Sequence, residues 1–238
     1  MKTVEELTLA QKKLHLKMNN IVEHHWKDKE PVWDGVNDIP AYLSSPLKIM
    51  WILKETWEKG DGRGGWNAYS LFDSTDSWGI RTYKAMAYIK YGFENNVYWD
   101  NLQHIKKNAS LINILKNIAY INISKIPGQT DSPAGHIQEC CKIWKDLIEE
   151  QISVYDPDVI IYGGTANFLI PPSELTEEKC QKPIFNKYWH PEIKTLIFKY
   201  NGRWIISARH PGRYNEVYID SLIDALHYVK DQIKSQKK

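Results

Sequence analysis

Lys48-Ile-Met-Trp-Ile-Leu53 is a short, almost wholly apolar run, followed at once by Lys54-Glu-Thr-Trp57 and a glycine-rich stretch. Five apolar residues without alternation predict a strand buried on both faces, and such strands sit in parallel sheets covered by helices on each side. Two later segments repeat the pattern. Ala119-Tyr-Ile-Asn-Ile-Ser124 has the β-branched content of a strand. Asp158-Val-Ile-Ile-Tyr162 follows the helix-ending Asp156-Pro157 and runs into Gly163-Gly164-Thr165. Thr195 to Tyr200 and Arg203 to Ser207 flank Asn201-Gly202, a strong short-range hairpin signal.

Helical spacing fills the intervals: residues 4–26, 81–91, 100–117, Ile137 to Ile152 behind Pro133, and Glu216 to Ile233. Alternating strands and helices predict one α/β domain over 1–238, a three-layer α/β/α sandwich with a mainly parallel sheet of about four strands. Residues 1–46 read as an N-terminal helical embellishment. Glu58 to Trp66 carries Gly60, Gly62, Gly64 and Gly65 and reads as an active-site loop or flexible lid. Residues 171–194, with scattered prolines and aromatics, read as an insertion or long loop.

Composition narrows the class. No apolar run approaches the roughly 20 residues that span a bilayer, and the charged N-terminus lacks a signal-peptide core, so a cytoplasmic location is expected. Cys140, Cys141 and Cys180 form no CxxC pair; reduced thiols are expected, with no metal site. His24-His25 and the remaining histidines also lack paired metal spacing. The net charge of +2 permits nucleic-acid binding without arguing for it. Ten Trp and fourteen Tyr against five Phe favour rings with a polar handle, suited to base or sugar contact, although core packing is the commoner use of any one ring.

Ligands of open α/β sheets bind beyond the carboxyl ends of the strands. Four sets of residues fall there: Lys54-Glu-Thr-Trp57, Asn122-Ile-Ser-Lys125, Gly163-Gly164-Thr165, and Ala208-Arg-His-Pro-Gly-Arg213. Their order and spacing, over roughly 48–215, resemble those of the uracil-DNA glycosylase superfamily. Ile49 to Glu55 resembles its first strand, ending in a water-positioning residue. Ala119 to Lys125 resembles the strand whose Asn reads a flipped base, Asp156 to Gly163 its third strand, and His210-Pro211-Gly212 its last motif. The family's common Gly-Gln-Asp-Pro-Tyr is replaced here by Leu53-Lys-Glu-Thr-Trp57, which lacks the Tyr that blocks a C5 substituent. The cysteines of the iron–sulfur branch are missing, and no cofactor is expected.

The resemblance implies a monofunctional DNA glycosylase that removes a flipped-out uracil or modified pyrimidine and leaves an abasic site, in repair or antiphage defence. A bulky C5-modified cytosine of phage DNA fits the altered first motif. Glu55 would position or deprotonate water and stabilise the cationic sugar, and His210 would donate to the departing base. Asn122 would read the base edge, Trp66 or Phe72 would stack on the base, and Lys54, Trp57, Arg63 and Trp66 would line space for a substituent, which the glycines up to Gly65 leave backbone free to admit. Gly163, Gly164, Thr165, Lys125, Arg209, Gly212 and Arg213 would meet the DNA backbone. The partner is DNA, duplex or single-stranded, bound by a monomer. Two other readings stay open: a non-catalytic nucleic-acid-binding module on the same fold, and a hydrolase of free nucleosides.

Overall fold

The computed structural model describes residues 2–58, 61–128, 133–175 and 195–236, with the backbone alone for 103–106. Its strands are β1 (Val32–Trp33), β2 (Gly35–Val36), β3 (Ile49–Leu53), β4 (Trp66–Asn67), β5 (Ala119–Asn122), β6 (Val159–Gly163), β7 (Leu196–Tyr200) and β8 (Arg203–Ala208). Its helices are α1 (Val4–His25), α2 (Ile39–Leu43), α3 (Arg81–Asn95), α4 (Ala134–Tyr155), α5 (Ala166–Leu169) and α6 (Glu216–Gln236). Six strands form one sheet in the order β2-β5-β3-β6-β8-β7. The middle four run parallel, and β2 and β7 pair antiparallel at the edges. The mixed α/β class and mainly parallel sheet expected from the three apolar runs are present.

The runs are continuous because both faces are buried. Trp51, Leu53, Tyr120, Ile161 and Ile206 face a core completed by α3 and α6. Met50, Ile52, Ile121, Ile160 and Ile205 face a second core completed by α1 and α4. Segment 1–46, read as an embellishment, takes part in that second core. Leu7, Leu14, Met18 and Val22 are buried on one face of α1, which starts with a reciprocal cap between Thr3 and Glu6. Among the described residues no helix is long and apolar enough to cross a membrane.

Three local expectations need correction. Residues 99–117 form two stretches of 3-10 helix broken at Asn108, where an α-helix was expected over 100–117. Asn108 accepts from Leu111 N–H through its carbonyl and from Ser110 Oγ through its side chain, the local bonding with which such residues compete against an α-helix. Residues 30–46, whose Pro, Asp, Asn and Gly predict a polar turn region, contain β1 and β2, too short for periodicity to register. Residues 59 and 60 of the expected loop or lid lie outside the described residues; from Asp61 on it is tied down: Arg63 O accepts from Glu30 N–H at 2.7 Å, Gly65 N–H donates to Pro31 O at 3.0 Å, and β1 pairs parallel with β4. Gly64, at φ +87°, lies so close that a methyl group there would stand 2.0 Å from Glu30 O. The reading of 171–194 falls mostly on 176–194, outside the described residues, as does Cys180.

Candidate functional site

Parallel pairing sets the ends of β5, β3, β6 and β8 side by side, through Leu53↔Asn122, Ile52↔Tyr162 and Gly163↔Ala208. The four residue sets found in the sequence therefore lie along one rim of the sheet. Their individual environments differ widely.

Glu55 follows β3 by two residues. Its side chain is only 4% exposed, and Oε2 stands 3.4 Å from His136 Nε2 in the first turn of α4. Gly128 packs against its carboxyl so closely that a Cβ there would sit 2.0 Å from Oε1. That glycine is held by its N–H on Thr56 O at 2.9 Å and by a parallel bridge to Trp57. The Glu55 carboxyl is thus fitted between a helix start and a glycine, in a place shaped to it. Trp57 itself is 57% exposed, and Lys54 is partly exposed.

Asn122, the last residue of β5, is buried. Its Nδ2 donates to Thr56 Oγ1 at 2.9 Å, and Tyr120 OH makes a long 3.5 Å contact to its Oδ1. Asn122 and the Glu55 loop are thus joined, but the amide faces the interior. Phe72 is wholly buried, with Tyr83 and Tyr120 edge-on at 5.3 and 5.6 Å between ring centroids. It is a core ring here, and of the two rings expected to stack on a base only Trp66 is partly exposed.

His210 begins the turn after β8. Its Nδ1 accepts from Gly212 N–H at 3.1 Å. Burial first, then the neighbouring Lys54 and Arg213 charges, lower its pKa to about 4. The imidazole is neutral at neutral pH, and with Nδ1 occupied as an acceptor its proton belongs on Nε2. The loop is braced by Arg81, which was not singled out in the sequence: its Nε donates to Gly212 O at 3.1 Å and its guanidinium lies over the Tyr214 ring. Arg209 is exposed, donates to Asn215 Oδ1 and lies over the Tyr218 ring; Arg213 is exposed beside it. Lys54 and Arg213 are thus the charges that act on this half-buried neutral imidazole, while the exposed Arg81 and Arg209 are engaged within the loop by Gly212 O and Asn215 Oδ1.

Several expected backbone contacts are corrected. Lys125 is fully buried and ion-paired with Asp34 at 2.8 Å, so its ammonium cannot reach a phosphate. Thr165 is buried and donates to Ile52 O at 2.7 Å. The Gly164 N–H is bonded to Ala208 O at 2.7 Å, and the Gly212 N–H to His210. Gly163 is covered: a Cβ there would stand 2.3 Å from Leu53 Cδ2. These glycines serve close packing of turn on turn, and Arg209 and Arg213 remain as exposed cations.

Asp34, Gly128, His136 and Gln151 also escaped the sequence reading, and Thr56 was placed at the rim without a role, since each acts through a contact between distant segments. The only local signal was the turn-forming Ile126-Pro-Gly128. Among the described residues no group of three or more His, Cys, Asp or Glu is placed to hold a metal ion. Cys140 and Cys141 are free thiols, and burial raises the pKa of both. No known protein-family model and no curated protein matches the sequence.

Proposed function

We propose that the chain hydrolyses an N-glycosidic bond in DNA, releasing uracil or a modified pyrimidine. The observation that carries this reading is the neutral His210, with Nδ1 blocked by Gly212 N–H and Lys54 and Arg213 close by. Cleavage of the bond puts negative charge on the departing base, and an Nε2–H donor backed by two cations stabilises that charge as it develops. Glu55, one residue from Lys54, supplies the carboxylate that orients water and offsets the cationic sugar. The parallel order β5-β3-β6-β8 supports the reading by setting the residues after these four strands along one rim.

The substrate reading changes in one respect. Room for a C5 substituent comes from the partly exposed Lys54 and the exposed Trp57, because the glycine-rich stretch is anchored to residues 30–33. The burial of Asn122 and Phe72 favours a second reading, a DNA-binding module without base-release activity.

One assay separates the two. Uracil-containing, unmodified and glucosylated-hydroxymethylcytosine DNA are offered at equal concentration, and free base is measured. Release from a modified strand, lost in His210→Ala with binding retained, supports the glycosylase. Binding without release from any strand favours the second reading.

A further inference from the structure

Asn122 lies where the sheet runs out of partners. β5 pairs with the edge strand β2 only at Tyr120 and Ala119. On its other side β3 holds the chain, with Ile123 N–H on Leu53 O at 2.8 Å. The N–H and C=O of Asn122 thus point toward an edge where, among the described residues, no strand continues. The residue just before β2, Asp34, supplies a side chain there instead: its Oδ2 accepts from Asn122 N–H at 2.7 Å.

Lys125 Nζ closes the arrangement, donating to Asn122 O at 2.6 Å, Asp34 Oδ2 at 2.8 Å and Gln151 Oε1 at 2.8 Å. Gln151 Nε2 in turn donates to Asp34 Oδ1 at 2.7 Å. All three ammonium donors and both carboxylate oxygens are bonded, and Asp34, Lys125 and Gln151 are fully buried. A buried ion pair is commonly no more stabilising than well-packed apolar residues, so stability alone gives little reason for one here. A closed network does fix geometry, and what this one grips is the backbone of Asn122 on both sides.

We infer that Asp34, Lys125 and Gln151 are positioning residues that fix Asn122, and through its bond to Thr56 the loop carrying Glu55. The catalytic consequence rests on the glycosylase reading; the mechanical one does not. In a double-mutant cycle, Lys125→Met is expected to slow single-turnover base release at least tenfold in the wild-type background and less than twofold in the Asn122→Ala background. Equal losses in both backgrounds would show a general structural role and overturn the inference.

Amide hydrogen exchange read by NMR gives an arm independent of activity. In Lys125→Met the Asn122 backbone amide should exchange at least tenfold faster while Ile52 and Ile161 keep their protection; unchanged Asn122 protection overturns the inference. If the wild type releases no base from any DNA, the glycosylase reading fails and the exchange arm alone decides. Should Lys125→Met fail to fold, Asp34→Asn/Lys125→Met removes both charges together and serves both arms.

Discussion

The two polar ends of the sheet's rim are built on opposite plans. At the Asn122 end, Asp34, Asn122, Lys125, Gln151 and Thr56 are buried and bonded to one another. At the His210 end, the imidazole is half-buried and its cationic neighbours Arg81, Arg209 and Arg213 reach solvent. The first plan spends its charges on holding backbone in place in the interior; the second keeps its cations at the surface, Arg81 and Arg209 bonded within their own loop and Arg213 exposed. A positive residue after a strand therefore carries no fixed meaning, and Lys125 and Arg213 show both extremes.

The comparison can be broken most severely at Phe72. As a core ring, Phe72→Ala should cost about 3–5 kcal/mol in unfolding free energy, read by urea titration. A ring kept for base stacking would leave stability nearly unchanged and weaken DNA binding instead.

Next in size is Glu55. Glu55→Gln should keep the fold and DNA affinity and lower single-turnover base release by at least about a hundredfold. Gly128→Ala sharpens the point, because its Cβ would stand 2.0 Å from the Glu55 carboxyl. It should displace that carboxyl and slow release about tenfold, a smaller loss since the charge survives. Wild-type rates in Gly128→Ala would mean that the carboxyl works elsewhere.

Much of the framework was legible in the sequence because burial on both faces leaves uninterrupted apolar runs. Ile49–Leu53 and Val159–Gly163 could be read from composition alone. So could the hairpin around Asn201-Gly202, where Asn201 and Gly202 both adopt positive φ. Strands of two residues, such as β1 and β2, offer no period to detect. The site was legible as a set of positions and poorly legible as roles. Glu55 and His210 follow their strands directly, so topology places them. Lys125 and Thr165 occupy equivalent positions but turn inward to Asp34 and to Ile52 O, partners remote in sequence. Asp34 gave no signal of its own, because its importance depends on β2 beginning one residue beyond it.

A smaller effect is expected in the pH dependence of stability. His210 has its folded pKa lowered to about 4, below the usual histidine value, so the unfolded chain binds the extra proton between pH 6.5 and 4. Stability from this group is full above pH 6.5 and is lost as pH falls toward 4. Burial raises Asp220 to about 6, so that carboxyl adds stability as pH falls through 6 toward its unfolded value, with the opposite sign. His210→Gln removes only the first effect. Between pH 7 and pH 5 its unfolding free energy should drop by about 1–2 kcal/mol less than the wild type's, allowing for partial solvent screening. Equal drops would mean that His210 titrates normally and that its neutrality is not built into the loop.

The smallest effect tests the contrast between the two ends most directly. A cation that touches a phosphate releases about one counterion, so its loss lowers the salt slope of log affinity by about one and weakens binding almost equally across sequences. Arg213 is exposed beside His210, and Arg213→Ala should show that unit change, worth about threefold in affinity over a fourfold rise in salt. Lys125 is wholly buried on Asp34, and Lys125→Met should leave the slope untouched even where it slows release. DNA affinity of the three proteins is measured by fluorescence anisotropy from 50 to 200 mM salt, a range over which phosphate contacts dominate. If both variants lowered the slope, the Asn122 end would have to open to the DNA. If neither did, the guanidinium groups around His210 would serve the loop alone, as Arg81 does through Gly212 O.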